Sequence, residues 1–330
     1  GRHESSKGWP STAVSSWLNG ALFTAGVAPW VYAESAYFAG GGGAGPIVAS
    51  ADKFAFSDDS RTVQPDVLST ATSYLAGAAN SGVAAYFAGG STTSTTNVVT
   101  VDKVTFSDDA SSTLGTGLAV GRTFLFGAAN SGTAAYFGGG TITGGSGVTD
   151  AVDKFAFSDD SRTTLSATLS TTNRFMGAAA NSGVAAYTFG GLGPSGTVDT
   201  VDKITFSSDS RTALGTGLSA ARRLNSGAAN SGTAGYSIGG LEVATVATVD
   251  KFAFPSDSRT TLGTGLSAAR RSMGAASHNG TAMYAGGGYE ATYTDTVDKF
   301  AFSDDSRTTL GTGLSSARQY VAGAANSGVL

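Results

Sequence analysis

The sequence predicts an all-β fold: a six-bladed β-propeller with four antiparallel strands per blade, closed by N- and C-terminal strands that share one blade. Three observations lead there. An Asp-Lys pair recurs at Asp52, Asp102, Asp153, Asp202, Asp250 and Asp298, at spacings of 50, 51, 49, 48 and 48 residues. Within each unit, four short stretches of strand character are parted by turn signals, and no stretch sustains a helical apolar period. Units of about 49 residues with four antiparallel strands have the size of a propeller blade, and six of them fill everything from about Ala36 to Leu330.

Each unit opens on a phrase such as GAANSG, at 77–82 and 127–132. First strands of a propeller converge on the axis, where side chains lack room, so small residues are what the position admits. NSG reads as a tight hairpin turn, because Asn and Gly tolerate positive φ. The second strand, AAYF, runs into a Gly-Gly pair, and a divergent segment follows. In the third strand, VDKFAF, alternation sends Asp153, Phe155 and Phe157 to one face and Lys154 and Ala156 to the other. Sixfold repetition of the Asp-Lys pair fits a ring of inter-blade ion pairs or hydrogen bonds better than one active site. SDDSRT is the next turn, and its Asp and Ser residues are expected to cap it; a calcium site is the competing reading.

The ends complement each other. The repeat starts mid-unit at AYFAGG (36–41) and stops mid-unit at GAANSGVL (323–330). Residues near Val321 to Asn326 should therefore supply the first strand of a blade whose other strands come from 36–70, which closes the ring and removes exposed edges. Seven blades is the alternative, if residues 1–35 hide a degenerate unit. That extension holds all three tryptophans, Trp9, Trp17 and Trp30. Two readings stay open: the tryptophans cover one face of the ring, or they dock it onto a larger assembly.

The pattern resembles kelch repeats. They share the period, an aromatic second strand before Gly-Gly (Tyr86-Phe87 before Gly89-Gly90, Tyr136-Phe137 before Gly139-Gly140) and an acidic turn after the third strand. The chain departs in having leucine, as at Leu114, Leu165, Leu214, Leu262 and Leu310, where the family commonly has tryptophan. The SDDSR turn is also similar to the Asp-box of sialidase-type propellers, with Arg in place of the Gly. The style of the repeats resembles kelch-like proteins of bacteriophages and aquatic or cyanobacterial bacteria. That resemblance implies an extracellular or virion location, in a phage-tail appendage or surface adhesin.

Strand alternation places the two hairpin turns on one face. The opposite face receives the divergent segments and the inter-blade positions Thr72, Arg122, Asn173, Arg222, Arg270 and Arg318, with Arg174, Arg223 and Arg271 beside three of them. A partner contact is expected near Arg222, Arg270, Arg122, Arg318, Tyr289 and Tyr293. The competing expectation is that these arginines pair with carbonyls or acids at the blade tops.

No enzyme is expected. There is no cysteine, and the only histidines are His3 and His278, which excludes the cysteine-linked copper chemistry of kelch-fold oxidases. Glutamate is scarce, against a sialidase-type site, and the best acids for a hydrolase or lyase are Asp150, Asp199, Glu290 and Asp295. The Gly-Gly pairs lack the helix a nucleotide motif requires, so no cofactor and no metal is expected. A formal charge of −4 and scattered basic residues argue against nucleic acid. The longest apolar run, 21–33, is broken by Gly26 and Pro29, so no membrane insertion is expected. Because the chain starts at Gly1 rather than Met, a piece upstream is expected to have been removed or left out. The reading is a recognition or assembly propeller that meets a host-surface glycan or protein, with residues 1–35 contacting other virion or surface subunits. A purely structural virion component is the alternative.

Overall fold

The computed structural model describes residues 34–92, 96–142 and 147–326, and the short strand pair Trp17–Leu18 and Ala21–Leu22. The chain divides into two compact units, Gly1–Tyr32 and Ala33–Leu330. In the first, Trp17 faces Leu22 and Leu18 faces Ala21 across an antiparallel pair. Trp9 and Trp30 lie outside the described residues.

The second unit is a six-bladed β-propeller with no helix among the described residues. Blade 1 joins Ala322–Ala325, Ser35–Ala39, Ala51–Ala55 and Arg61–Gln64, called strands a to d from the axis outward. Blade 2 is Ala76–Asn80, Ala84–Ala88, Val101–Thr105 and Ser111–Thr113. Blade 3 runs from Phe126–Asn130 to Arg162–Thr164, and blade 4 from Gly177–Asn181 to Ser210–Ala213. Blade 5 runs from Ser226–Asn230 to Ser258–Thr261, and blade 6 from Gly274–His278 to Arg307–Thr309. All neighbours within a blade are antiparallel.

Closure follows the expected route: Ala36 faces Ala325 and Ala39 faces Ala322, so the two ends of the repeat region build blade 1 together. The six a strands contact one another in a complete ring, and it closes with no seventh blade. The reason glycine stands where strand a begins is steric. A Cβ on Gly127 would lie 2.2 Å from the carbonyl oxygen of Gly77, and one on Gly323 would lie 1.7 Å from that of Ala275. Adjacent backbones occupy the space a side chain would need.

Strand b is buried along its whole length in blades 1, 2, 3 and 6, and in all but its last one or two residues in blades 4 and 5. Its tyrosine packs on a phenylalanine of the next blade, as in Tyr86–Phe157 and Tyr136–Phe206, each with ring centroids 5.0 Å apart. The hydroxyl then donates to the Asp at the third position of that blade's SDDS or SSDS turn: Tyr86 to Asp160 at 2.9 Å, Tyr136 to Asp209 at 2.9 Å. The lysine of strand c reaches the same carboxylate, Lys154 to Asp209 at 2.8 Å, and the pattern holds at all six interfaces. That Asp sits at positive φ in every turn, a conformation Asp tolerates better than most residues. The first Asp of the turn caps it, as expected: Asp58 accepts from the Ser60 amide at 3.0 Å.

The NSG turns are latches as well as turns. Asn80 Oδ1 accepts from the Gly132 amide in the next blade at 2.8 Å, and Asn130, Asn181, Asn230 and Asn326 do the same at their interfaces. Gly-Gly pairs have positive φ throughout, and the second amide bonds a connector carbonyl of the next blade, as in Gly90 to Arg122 at 2.9 Å.

Candidate functional site

The two faces of the ring differ in what they leave free. On the hairpin face the repeated Asn, Ser, Lys and third-position turn Asp side chains are engaged in bonds between blades. The other face is built from the b–c loops and the connectors that lead into each strand a. Connector and loop of one blade pair in short bridges: Ser73 with Ser91, Arg223 with Leu241, Arg271 with Tyr289. These bridges fix the connectors at the axial mouth.

Arg122, Arg222, Arg270 and Arg318, expected at a partner contact, are placed inside the fold. All are at most 2 % exposed. Each faces the strand c aspartate of its own blade: Arg122 with Asp153, Arg222 with Asp250 at 3.0 Å, Arg270 with Asp298 at 3.0 Å and Arg318 with Asp52 at 2.7 Å. Other guanidinium donors meet backbone carbonyls, as in Arg270 to Ala285 at 3.0 Å and Arg318 to Phe38 at 3.1 Å, while Nε of Arg122, Arg222 and Arg270 is buried without a partner among the described residues. The physical reason is the convergence of connectors on the c strands, which carries this column inward over the blade. Burial holds Arg222 and Arg270 below the usual guanidinium range, against the opposing pull of Asp250 and Asp298. Burial alone would raise the Asp250 carboxyl. Bonds from Thr261 and Ser219, with the Arg222 charge, outweigh it and leave the group below its ordinary value.

Two residues further along each connector lies a column that sequence reasoning did not single out: Tyr74, Phe124, Phe175, Leu224, Ser272 and Tyr320. All six have φ between 57° and 64°, which is uncommon for side chains this large. The conformation is held by a run of five backbone bonds around the axis. The Phe124 amide donates to the Tyr74 carbonyl, Phe175 to Phe124, Leu224 to Phe175, Ser272 to Leu224 and Tyr320 to Ser272, at 2.8 to 3.1 Å. The aromatic members touch in sequence: Tyr320–Tyr74 at 4.2 Å, Tyr74–Phe124 at 4.5 Å and Phe124–Phe175 at 4.2 Å between centroids. They form a half-buried arc over four of the six sectors of the mouth. The legible signal was an aromatic residue two positions after the Arg column in four of six repeats.

Tyr289 and Tyr293 join this arc. Their rings pack edge to face at 5.3 Å, and Arg271 lies 4.8 Å from the Tyr289 ring centre. Burial raises the Tyr74 and Tyr320 hydroxyls above the usual phenol range, and Tyr293 adds to both shifts. Arg174, Arg223 and Arg271 stand immediately before Phe175, Leu224 and Ser272, in three successive blades, and are half-buried. Each reaches a threonine of the preceding blade, Thr141, Thr197 and Thr245 respectively. The mouth thus combines an aromatic arc with an adjacent arc of guanidinium groups. It can stack a flat or apolar ring face and offer N–H donors to an oxygen-rich partner.

Asp150, Glu290 and Asp295 sit on b–c loops and Asp199 in the long strand c of blade 4, so the four are spread over three blades. Among the described residues no group of three or more His, Asp and Glu side chains is arranged to hold a metal ion. Neither protein-family models nor the curated proteins give a match to this chain.

Proposed function

We propose that the chain is a non-enzymatic, kelch-like recognition propeller whose axial mouth, on the variable face, binds a glycan or protein of a host surface. Its setting would be extracellular, as a receptor-binding part of a phage-tail appendage or as a cell-surface adhesin of the type found in bacteriophages and aquatic bacteria. The observation that carries this reading is the half-buried arc Tyr320, Tyr74, Phe124 and Phe175 beside Tyr289 and Tyr293. Aromatic faces with a few fixed polar groups are how propeller-sized rigid scaffolds recognise saccharides and side chains. The opposite face offers no comparable cluster among the described residues.

The test is a glycan and host-surface protein array probed with the full chain and with Phe124→Asn/Tyr320→Asn. Asn tolerates positive φ, so the variant keeps the run of backbone bonds while removing two stacking faces. Val83→Ser, at an exposed position on the hairpin face, is the control. Selective binding lost only in the mouth variant supports the reading. Binding that survives in the mouth variant, or is lost in the control, places the contact elsewhere.

A second reading, a structural component of a virion or surface assembly, is favoured by the separate compact unit Gly1–Tyr32, which holds all three tryptophans. It predicts that serine at Trp9, Trp17 and Trp30 abolishes assembly while the array stays blank.

A further inference from the structure

The same position in strand c holds an aspartate in all six blades, and five of the six face an arginine. Asp52 has Arg318 at 2.7 Å and Arg61 at 3.6 Å. Asp153 pairs with Arg122 and Arg162, Asp250 with Arg222 and Arg259, and Asp298 with Arg270 and Arg307. Asp202, whose connector position is Asn173, keeps Arg211 at 4.0 Å. Asp102 in blade 2 departs from all of these. Its connector position is Thr72, its strand d position is Ser111, and among the described residues no cationic side chain lies within ion-pair distance of it. It is 5 % exposed, and its oxygens accept from Ser69 and Thr113 alone.

A cavity of about 30 Å³ opens against this carboxylate, with Thr72, Phe87, Gly89, Thr92, Val98 and Asp102 in its wall. The wall repeats the surroundings of a guanidinium elsewhere in the ring. Arg318 donates to the carbonyls of Phe38 and Gly40, and the equivalent residues of blade 2 are Phe87 and Gly89. By contrast, in blade 4 the Asn173 amide donates to the Gly190 carbonyl and fills the equivalent place. The volume is room for about two waters, which is close to the size of a guanidinium head. Ser69 and Thr70 on the rim are exposed and Thr92 and Val98 half-buried, so the cavity reaches the surface beside a variable loop.

We propose that blade 2 holds a binding site for a guanidinium group, with Asp102 as its counterion, in the mould that the chain's own arginine fills in blades 1, 3, 5 and 6. A planar fork of N–H donors suits one carboxylate oxygen and two carbonyls at fixed positions, whereas a compact ammonium matches them less well. The group comes either from a free small molecule or from an arginine side chain of a partner seated on the variable face. The site is separate from the axial mouth and does not depend on what the mouth binds.

The experiment follows thermal unfolding of the full chain against methylguanidinium and, in parallel, N-acetylarginine methylamide, with potassium chloride at matched ionic strength. A ligand that binds only the folded chain raises the melting temperature saturably. The expected result is such a rise at low millimolar methylguanidinium in the natural sequence and its loss in Thr72→Arg and in Asp102→Asn. Thr72→Arg is also expected to melt higher than the natural sequence without ligand, so it serves even if Asp102→Asn misfolds. A rise with both ligands assigns the site to a side chain, and a rise with methylguanidinium alone to a free molecule. No saturable rise, an equal rise with potassium, or a rise that survives in Thr72→Arg would overturn the proposal.

Discussion

Arg270→Met separates an architectural arginine from a contact residue. Arg270 and Asp298 are both fully buried, 3.0 Å apart, and the guanidinium also serves the Ala285 carbonyl at 3.0 Å and Ser267 Oγ at 3.2 Å. Methionine keeps most of the volume and removes the charge and the donors. Asp298 would retain the Ser267 amide at 2.8 Å, Ser267 Oγ at 2.9 Å, Thr309 Oγ1 at 2.7 Å and the more distant Arg307 at 3.9 Å. Breaking one side of a buried pair costs about 3 to 5 kcal/mol, and the retained partners argue for the lower end, about 3 kcal/mol. In a fold of this size that is roughly 4 to 5 °C in melting temperature. Urea unfolding followed by near-ultraviolet circular dichroism measures it, and Asp298→Asn added to Arg270→Met should recover part of the loss, since it removes the stranded charge. A cost below about 1 kcal/mol would refute the argument. Unchanged stability with abolished ligand binding would return Arg270 to the role of a contact residue.

Three further outcomes follow from the same geometry. Gly127→Ala drives a Cβ to 2.2 Å from the Gly77 carbonyl and should cost about 3 kcal/mol or more, whereas Gly115→Ala meets nothing within 4 Å and should be near neutral in the same unfolding assay. Asn130→Ala removes the acceptor for the Gly183 amide at 2.8 Å and should cost about 1 kcal/mol, read as a shift in the urea midpoint at unchanged slope. The third concerns alkali. Burial, foremost, pushes the Tyr86 and Tyr187 hydroxyls up to about 12, with Asp160 and Asp257 adding to it and Lys103 and Lys203 opposing. The folded state therefore holds these protons more tightly than the unfolded chain, whose phenols titrate near about 10. The stability they contribute is complete below about pH 10 and drains away as the pH rises through 12. Ultraviolet titration of tyrosinate should show a late class of phenols released together with unfolding; buried phenols that ionise near 10 in the folded chain would contradict it.

Much of the architecture was legible because a propeller repeats one packing problem six times. The Asp-Lys spacing gave the blade count, the split unit at Ala36 and Ala325 gave the closure, and the GAA phrases gave the crowding at the axis. The site was less legible, for a physical reason. Whether a connector arginine points outward or inward depends on how far the connector leans over strand c, and no local pattern encodes that lean. Arg222 and Arg271 are both basic residues next to an inter-blade loop, yet one is sealed against Asp250 and the other lies over Tyr289 at the mouth. The clue in the sequence was pairing: three arginines of the inner column are each followed by an Asp 28 to 31 positions later, and the fourth, Arg318, meets Asp52 across the closure, as a structural ion pair would require. The aromatic arc was missed because its column mixes Tyr, Phe, Leu and Ser, and only its shared positive φ identifies the six residues as one element.

The exceptions to the repeat carry more functional information than the repeat itself. A ring of identical blades would present any site six times, and each copy would share its side chains with an interface that must hold. The invariant residues are consumed in that way: Asn80 on Gly132, Lys154 on Asp209, Tyr86 on Asp160. Where the sequence departs from its own consensus, the group opposite is released. Thr72 and Ser111 leave Asp102 without an arginine, and Leu224 and Ser272 interrupt the aromatic arc beside Arg223 and Arg271. His278 replaces the latch asparagine of blade 6 and lies 2.9 Å from Glu34 while stacking on Phe56 at 4.6 Å, where blade 6 meets the blade in which the chain closes on itself. The His278 site repairs the seam through a new partner, so its departure serves the architecture. The other two have no such repair, and it is there that a ligand gains something the ring does not already hold.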